Sequence, residues 1–474
     1  MGGFFGAVSQ RDTVLDVFFG VDYHSHLGTH RGGIAVWNRE EGFRRAIHSI
    51  ENTPFRTRFE KDIMDMKGNV CIGCISDNDP QPLLIASHLG VYAICVIGRM
   101  NNQEELVKRF LKKGTVHFEA RTGGRINDSA VVASLINEKE SFAEGIKYAQ
   151  EMIDGTAAIL IATEKGTIIT ARDRLGIMPV MIGKSDEGYA VSFESFAYEK
   201  MGYKDVRMLG PGECVELNPY NETVLVPPGE KEKFCAFMWT YYGYPNSHYE
   251  GSTVEVIRTK GGAVMAQEEK ENGTMPDVDA VCGVPDSGIA YAIGYANESD
   301  KSFTRPLIKY TPTWPRSFMP DNSELRRHIA KMKLIPVPDL LDGKKLMFID
   351  DSIVRGTQLQ ETVDFLYENG AEEVHMRSAC PPIMYGCKYL NFSRSNGDME
   401  LLARRTIQNL EGEEGQKHIE EYADGKTERG KCLRCRIAEE FGFSSLEFQS
   451  LEGLIKSTGI PADKICTYCW TGKE

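Results

Sequence analysis

The chain has 474 residues, 41% of them hydrophobic and 26% charged, with a formal net charge of -13. That length exceeds one ordinary core and predicts two domains with the composition of a globular protein. The negative balance argues against a general nucleic-acid binder, which needs a basic footprint. No stretch reaches the roughly 20 apolar residues of a membrane span, and the short apolar start lacks a basic flank, so a cytoplasmic location and no membrane are expected.

Residues 2–230 read as short β-rich runs between turn signals, an α+β layer pattern. Ala157–Ala162, Gly166–Thr170 and Cys214–Leu217 are such runs, and Gln103–Lys113 has helical periodicity. Val226-Pro-Pro-Gly-Glu-Lys-Glu-Lys233 is polar and turn-rich, which places a linker there. Residues 231–400 change rhythm. Strand-like Val278–Val284, Lys345–Ile349 and Glu373–Arg377 alternate with amphipathic stretches such as Gln358–Asn369, the βαβ pattern of a parallel sheet. Residues 401–474 read as a charged helical extension.

Three of the cysteine pairs have Cys-x-x-Cys spacing: Cys71/Cys74, Cys432/Cys435 and Cys466/Cys469. Without a secretory signal, metal or cluster ligation is the stronger reading and disulfides the weaker. Cys95 and Cys282 sit in apolar runs and fit small buried hydrophobes.

Lys345-Lys-Leu-Met-Phe-Ile349 ends in two carboxylates, Asp350 and Asp351, then a loop from Ser352 through Val354, Arg355 and Gly356 to Thr357. Paired carboxylates at a strand end can accept hydrogen bonds from ribose hydroxyls. Amides and the hydroxyls of Ser352 and Thr357 at a helix start can hold a phosphate, and Gly356 permits close backbone approach. A second strand ends in Val284-Pro-Asp286-Ser287-Gly288, a turn that can present amides to a pyrophosphate neutralised by magnesium. Ser287, Asp350 and Asp351 are the candidate Mg2+ ligands. Between the loops, Thr311–Pro320 with Arg316, and then Arg326 and Lys333, form a candidate catalytic loop over the leaving group. A structural Pro-rich loop would look the same.

The run Phe348–Thr357 matches the binding signature for 5-phosphoribosyl-1-pyrophosphate (PRPP) of phosphoribosyltransferases, and the whole chain resembles the amidophosphoribosyltransferases. Gly370-Ala-Glu-Glu-Val374, Ala171–Pro179 and Gly210-Pro-Gly-Glu213 extend the likeness into both halves. Arg316-Ser-Phe-Met differs by carrying Ser317 where the family favours Thr. The resemblance implies an N-terminal nucleophile-hydrolase-like four-layer α+β domain at 2–230. It implies an α/β type I phosphoribosyltransferase domain with a parallel sheet at 231–400. It also implies a homo-oligomer inhibited by purine nucleotides. Some relatives hold a [4Fe–4S] cluster on four scattered cysteines, and Cys235, Cys387, Cys466 and Cys469 match them, with zinc as the alternative for four thiolates. Cys432/Cys435 lie outside that pattern, and Cys71/Cys74 are assigned to the core.

The N-terminal half departs from the family's glutaminase chemistry. The family's nucleophilic Cys is replaced by Gly2. The Arg that grips the glutamine carboxylate aligns with Ser76. The Asn-Gly oxyanion hole becomes Ile97-Gly98, losing a donor worth about 3 kcal/mol. His30-Arg-Gly-Gly-Ile34 is a shortened segment, and Asp128 is retained. Glutamine hydrolysis is therefore expected to be absent. Three functions follow. One is a transferase making 5-phosphoribosylamine from PRPP and ammonia, free or supplied by a partner glutaminase. Another is a transferase for a different amine. The third is a pseudoenzyme that binds PRPP or a nucleotide and regulates a partner.

Overall fold

The computed structural model describes residues 2–77, 79–114, 116–120, 124–310, 334–356, 359–390 and 397–473. Strand Gly2–Ser9 is buried along its whole length, because it lies inside a seven-stranded sheet covered on both faces. It pairs antiparallel with Gly188–Ser192 on one side and Val70–Ser76 on the other. A six-stranded sheet, built on the antiparallel pair Gly90–Met100 and Gly155–Thr163, packs against it. Helix Val14–Asp22 covers the first sheet, while Asp128–Ile136 and Phe142–Met152 belong to the layer outside the second. The result is the expected four-layer α/β/β/α stack. Apolar side chains of both inner faces form one core, including Phe4, Ile72, Cys74 and Cys95, and Cys71 is buried on the opposite face of its strand. Helix Gln103–Lys113 forms at the predicted bounds and ends on Gly114 at φ +67°, the left-handed terminus that glycine adopts at low cost.

The turn-rich segment at 227–233 separates strands Glu222–Val226 and Phe234–Cys235. Beyond it lies a five-stranded parallel sheet in the order Ser302–Thr304, Ala280–Gly283, Lys345–Asp350, Glu373–Ser378, Ser445–Phe448. The three predicted central strands are all present. The helix expected at 358–369 is seen over Leu359–Glu368.

The segment read as purely helical, 401–474, departs from that expectation. It supplies the edge strand Ser445–Phe448, which hydrogen-bonds to Glu373–Ser378, and the short strand Ile465–Cys466, which pairs in parallel with Phe234–Cys235. Ser445–Phe448 is half polar and Ile465–Cys466 only two residues long, so neither registers as a strand alone; the neighbouring strand supplies the missing half of the ladder. No helix among the described residues is long and apolar enough to cross a membrane.

Candidate functional site

Because Ala280–Gly283 and Lys345–Asp350 are adjacent parallel strands, the two predicted loops leave the sheet side by side. Ser287 Oγ donates to Asp350 Oδ1 at 2.6 Å, tying one loop to the other. The Asp351 amide donates to the same oxygen at 2.9 Å, and Ser352 Oγ donates to Asp351 Oδ2 at 2.6 Å. The approach is close: a Cβ on Gly288 would lie 1.8 Å from the Ile349 carbonyl oxygen. The Pro285–Asp286 peptide is cis. Burial raises the pKa of both Asp350 and Asp351, and for Asp351 the neighbouring Asp350 charge adds to it. Two buried carboxylates held side by side create a demand for positive charge or for hydroxyl donors.

The rest of the second loop is anchored from the C-terminal segment. The Val354 carbonyl accepts from the Leu402 amide at 2.9 Å, and the Arg355 carbonyl accepts from Arg405 at 2.9 Å. The Arg355 guanidinium pairs with Glu400 at 2.9 Å. Gly356 adopts φ +71° and faces Phe441 and Leu402, a conformation that an L side chain rarely takes. Thr357, Arg316, Arg326 and Lys333 lie outside the described residues. Sequence reading missed Lys309, whose ammonium meets Asp286 at 2.9 Å; nothing in its local pattern distinguishes it from a surface lysine.

A second group of predicted residues also converges. Gly2, Ser76, Ile97, Gly98 and Asp128 line one pocket of about 30 Å3, together with Asp79, Gln81, Arg99 and Leu390. Gly2 pairs with Ser76 across the sheet. A Cβ on Gly2 would lie 2.4 Å from the Ile75 carbonyl oxygen and 3.1 Å from Ile97 Cδ1, so the backbone leaves no space for a nucleophile there. Gln81, absent from the sequence reading, is held by the Val96 backbone and by Ser129 Oγ at 2.7 Å. The Asp79 carboxylate accepts from the Asp128 amide at 2.9 Å. Arg99, the cation of this pocket, donates to the Cys387 carbonyl.

That last contact leads to the four thiols. Cys235 and Cys466 are register partners, and Cys469 hydrogen-bonds to Cys387. The hydrogen bond with Cys469, the Tyr389 and Leu390 amides, and the Arg99 charge bring Cys387 down to about 7 despite burial. Burial pushes Cys235 up, and Cys466 to about 12. The four thiols are neighbours from three chain segments. Even so, among the described residues no group of three or more His, Cys, Asp or Glu side chains is set to hold a metal ion.

A family model described as a glutamine amidotransferase domain matches residues 69–198. The amidophosphoribosyltransferase of Pyrococcus horikoshii is 30% identical over 425 residues, covering 87% of this chain and 89% of that one. This chain belongs to the amidophosphoribosyltransferase family. The Synechocystis member is 28% identical over 487 residues, 99% of this chain and 90% of its own. The solved Bacillus subtilis glutamine PRPP amidotransferase, complexed with ADP and GMP, superposes with a TM-score of 0.83 at 28% identity, covering 99% of this chain and 96% of that one. The structure of the allosteric regulatory enzyme of purine biosynthesis gives the same TM-score, 0.83, at 27% identity, covering 99% of this chain and 95% of that one. This family member therefore has both halves of the amidophosphoribosyltransferase architecture, an N-terminal hydrolase-like domain and a type I phosphoribosyltransferase sheet.

Proposed function

We propose that this chain is a PRPP-dependent transferase that makes 5-phosphoribosylamine from PRPP and ammonia and does not hydrolyse glutamine. The observation that carries the reading is the contrast between two pockets. The loops 284–288 and 350–356 are joined through Ser287 and Asp350, whereas the pocket at Gly2 has neither a nucleophile nor room for one.

In this reading Asp350 and Asp351 accept hydrogen bonds from the ribose hydroxyls, and the 351–357 amides and hydroxyls hold the 5-phosphate. Loop 284–288 presents amides to the pyrophosphate, with Arg316, Arg326 and Lys333 as the cations that follow its departure. The ammonia nitrogen bonds to C1 as the C1–oxygen bond breaks. Pyrophosphate leaves with the electron pair, and the nitrogen releases a proton to solvent. The two buried carboxylates and Ser287 fit Mg2+, a hard cation bound through oxygen. Bound there, it would neutralise pyrophosphate. The four thiols come together from three chain segments, with Cys235 the register partner of Cys466 and Cys387 bonded to Cys469, and they suit a [4Fe–4S] cluster; zinc is the alternative. Inhibition by purine nucleotides and a homo-oligomeric assembly belong to the same proposal.

Pyrophosphate release from PRPP with magnesium should occur with ammonium and not with glutamine. Asp350→Asn should lower it by about a hundredfold or more, since charge stabilisation is the main catalytic device. Release that survives this substitution would remove the loop from the mechanism. Glutamate formation at an enzymatic rate would overturn the loss of glutaminase activity.

A further inference from the structure

Cys432 and Cys435 are the exposed cysteines of the chain; Cys466 is partly buried and the others are buried. Both lie on helix Glu428–Phe441. Three residues apart, they share one face, with Cβ atoms about 5–6 Å apart. Disulfide geometry tolerates the Cα spacing of such a pair but asks for a Cβ separation of about 3.5–4.5 Å. An S–S bond therefore requires this one turn to tighten by about 1 Å. Both thiols stand on the solvent side of the helix, within reach of a small reagent.

The opposite face is tied to the phosphate loop. Leu433, Ile437 and Phe441 are buried at successive turns and share a core with Ile353, Val363 and Leu402. A Cβ on Gly356 would lie 2.9 Å from Phe441 Cζ, so the ring abuts the loop. The helix cannot relax freely at its start, because Thr427 Oγ1 caps the Gly430 amide at 2.9 Å. Nor can its middle, because Arg434 holds the Gly425 carbonyl at 2.7 Å and Glu447 at 2.9 Å. A tightened turn has its outlet in the inner stripe.

We propose that Cys432 and Cys435 are a reversible redox site. They close into an intrahelical disulfide by exchange with a small-molecule disulfide, and closure shifts Phe441 against Gly356. One thiolate attacks the reagent, forms a mixed disulfide and expels the first reagent thiolate. The second cysteine then attacks the protein-side sulfur and expels the other. The protein loses two electrons, the reagent disulfide gains them, and both thiol protons pass to the released thiolates or solvent. A bond strained by helical spacing is readily reduced again, as expected of a regulatory disulfide. The link to PRPP affinity rests on the proposed function; the bond and the loop shift do not.

The test treats the reduced full chain with glutathione disulfide, followed by peptide mass mapping and hydrogen exchange. A 432–435 cross-link, lighter by two hydrogens, is expected in the wild type. Cys432→Ser and Cys435→Ser should each stop at a mixed disulfide. Amides at 353–356 and 437–441 should exchange faster after oxidation, and PRPP should bind about fivefold or more weakly, the usual scale of coupling between sites. Free thiols or stable mixed disulfides in the wild type would overturn the site. A cross-link with unchanged exchange at 353–356 would overturn its connection to the loop. Failure of the reduced chain to bind PRPP would count against the proposed function alone.

Discussion

Gly2 decides the character of the N-terminal pocket by what it excludes. In the proposed reading Gly2 holds the nucleophile's position, yet Gly2→Cys should not create glutaminase activity, because the new Cβ meets the Ile75 carbonyl oxygen at 2.4 Å and Ile97 Cδ1 at 3.1 Å. The variant should instead lose about 1–3 kcal/mol of stability to overpacking, read from urea midpoints. His24 makes a different residue-level prediction. Burial, the main cause, lowers its pKa to about 4, while the Glu194 charge and the Gly20 carbonyl act the other way. Its Nδ1 is 2.7 Å from the Gly20 carbonyl oxygen, which can only accept, so Nδ1 carries the proton of a neutral ring. The native state then binds fewer protons than the unfolded chain between about 4 and 6.5. Its contribution is complete above pH 6.5 and is lost as pH falls toward 4, by up to about 3 kcal/mol. Denaturant midpoints of wild type and His24→Gln should diverge across that window, and parallel profiles would rule this residue out.

Among the elements, the paired strands at Gly283 and Ile349 fix the two loops through the contact at Gly288. Gly288→Ala places a methyl group 1.8 Å from a backbone oxygen that cannot rotate away. Stability should fall by about 3 kcal/mol or more, and PRPP binding should fall with it; calorimetry reads both. A variant that kept its stability with the added methyl group would mean that the strands separate more easily than their register implies. These central elements were legible because Lys345–Asp350 is a short apolar run that ends in charges, the pattern of a buried strand leading into a polar turn. Ser445–Phe448 was not legible: Ser-Leu-Glu-Phe is half polar and becomes a strand only against Glu373–Ser378. The role of Arg355 was half legible. Its place in the loop followed from the motif, but its partner Glu400 lies beyond the loop. The grouping of Gly2, Ser76, Ile97, Gly98 and Asp128 in one pocket was legible from the family motif, whereas Gln81 and Arg99 are placed by partners distant in sequence, which leave no mark in it.

At the scale of the molecule, the two halves meet at the thiols. Thr156 Oγ1 donates to the Tyr389 carbonyl at 2.5 Å, Asn101 to the Lys388 carbonyl at 3.1 Å, and Arg99 to the Cys387 carbonyl. If the four cysteines hold a cluster, anaerobically purified protein should contain about four iron and four sulfide per chain. Cys387→Ser should lose both and lower the thermal midpoint; one zinc and no sulfide would select the alternative. The parallel pairing of Phe234–Cys235 with Ile465–Cys466 has a consequence for biogenesis. Roughly 230 residues must leave the ribosome between these strands, so the four-layer half can complete itself while its own exit strand still waits for a partner. Until residues 465–466 emerge that strand is an open edge, so this part of the seam closes only after the strands of the parallel sheet have been made.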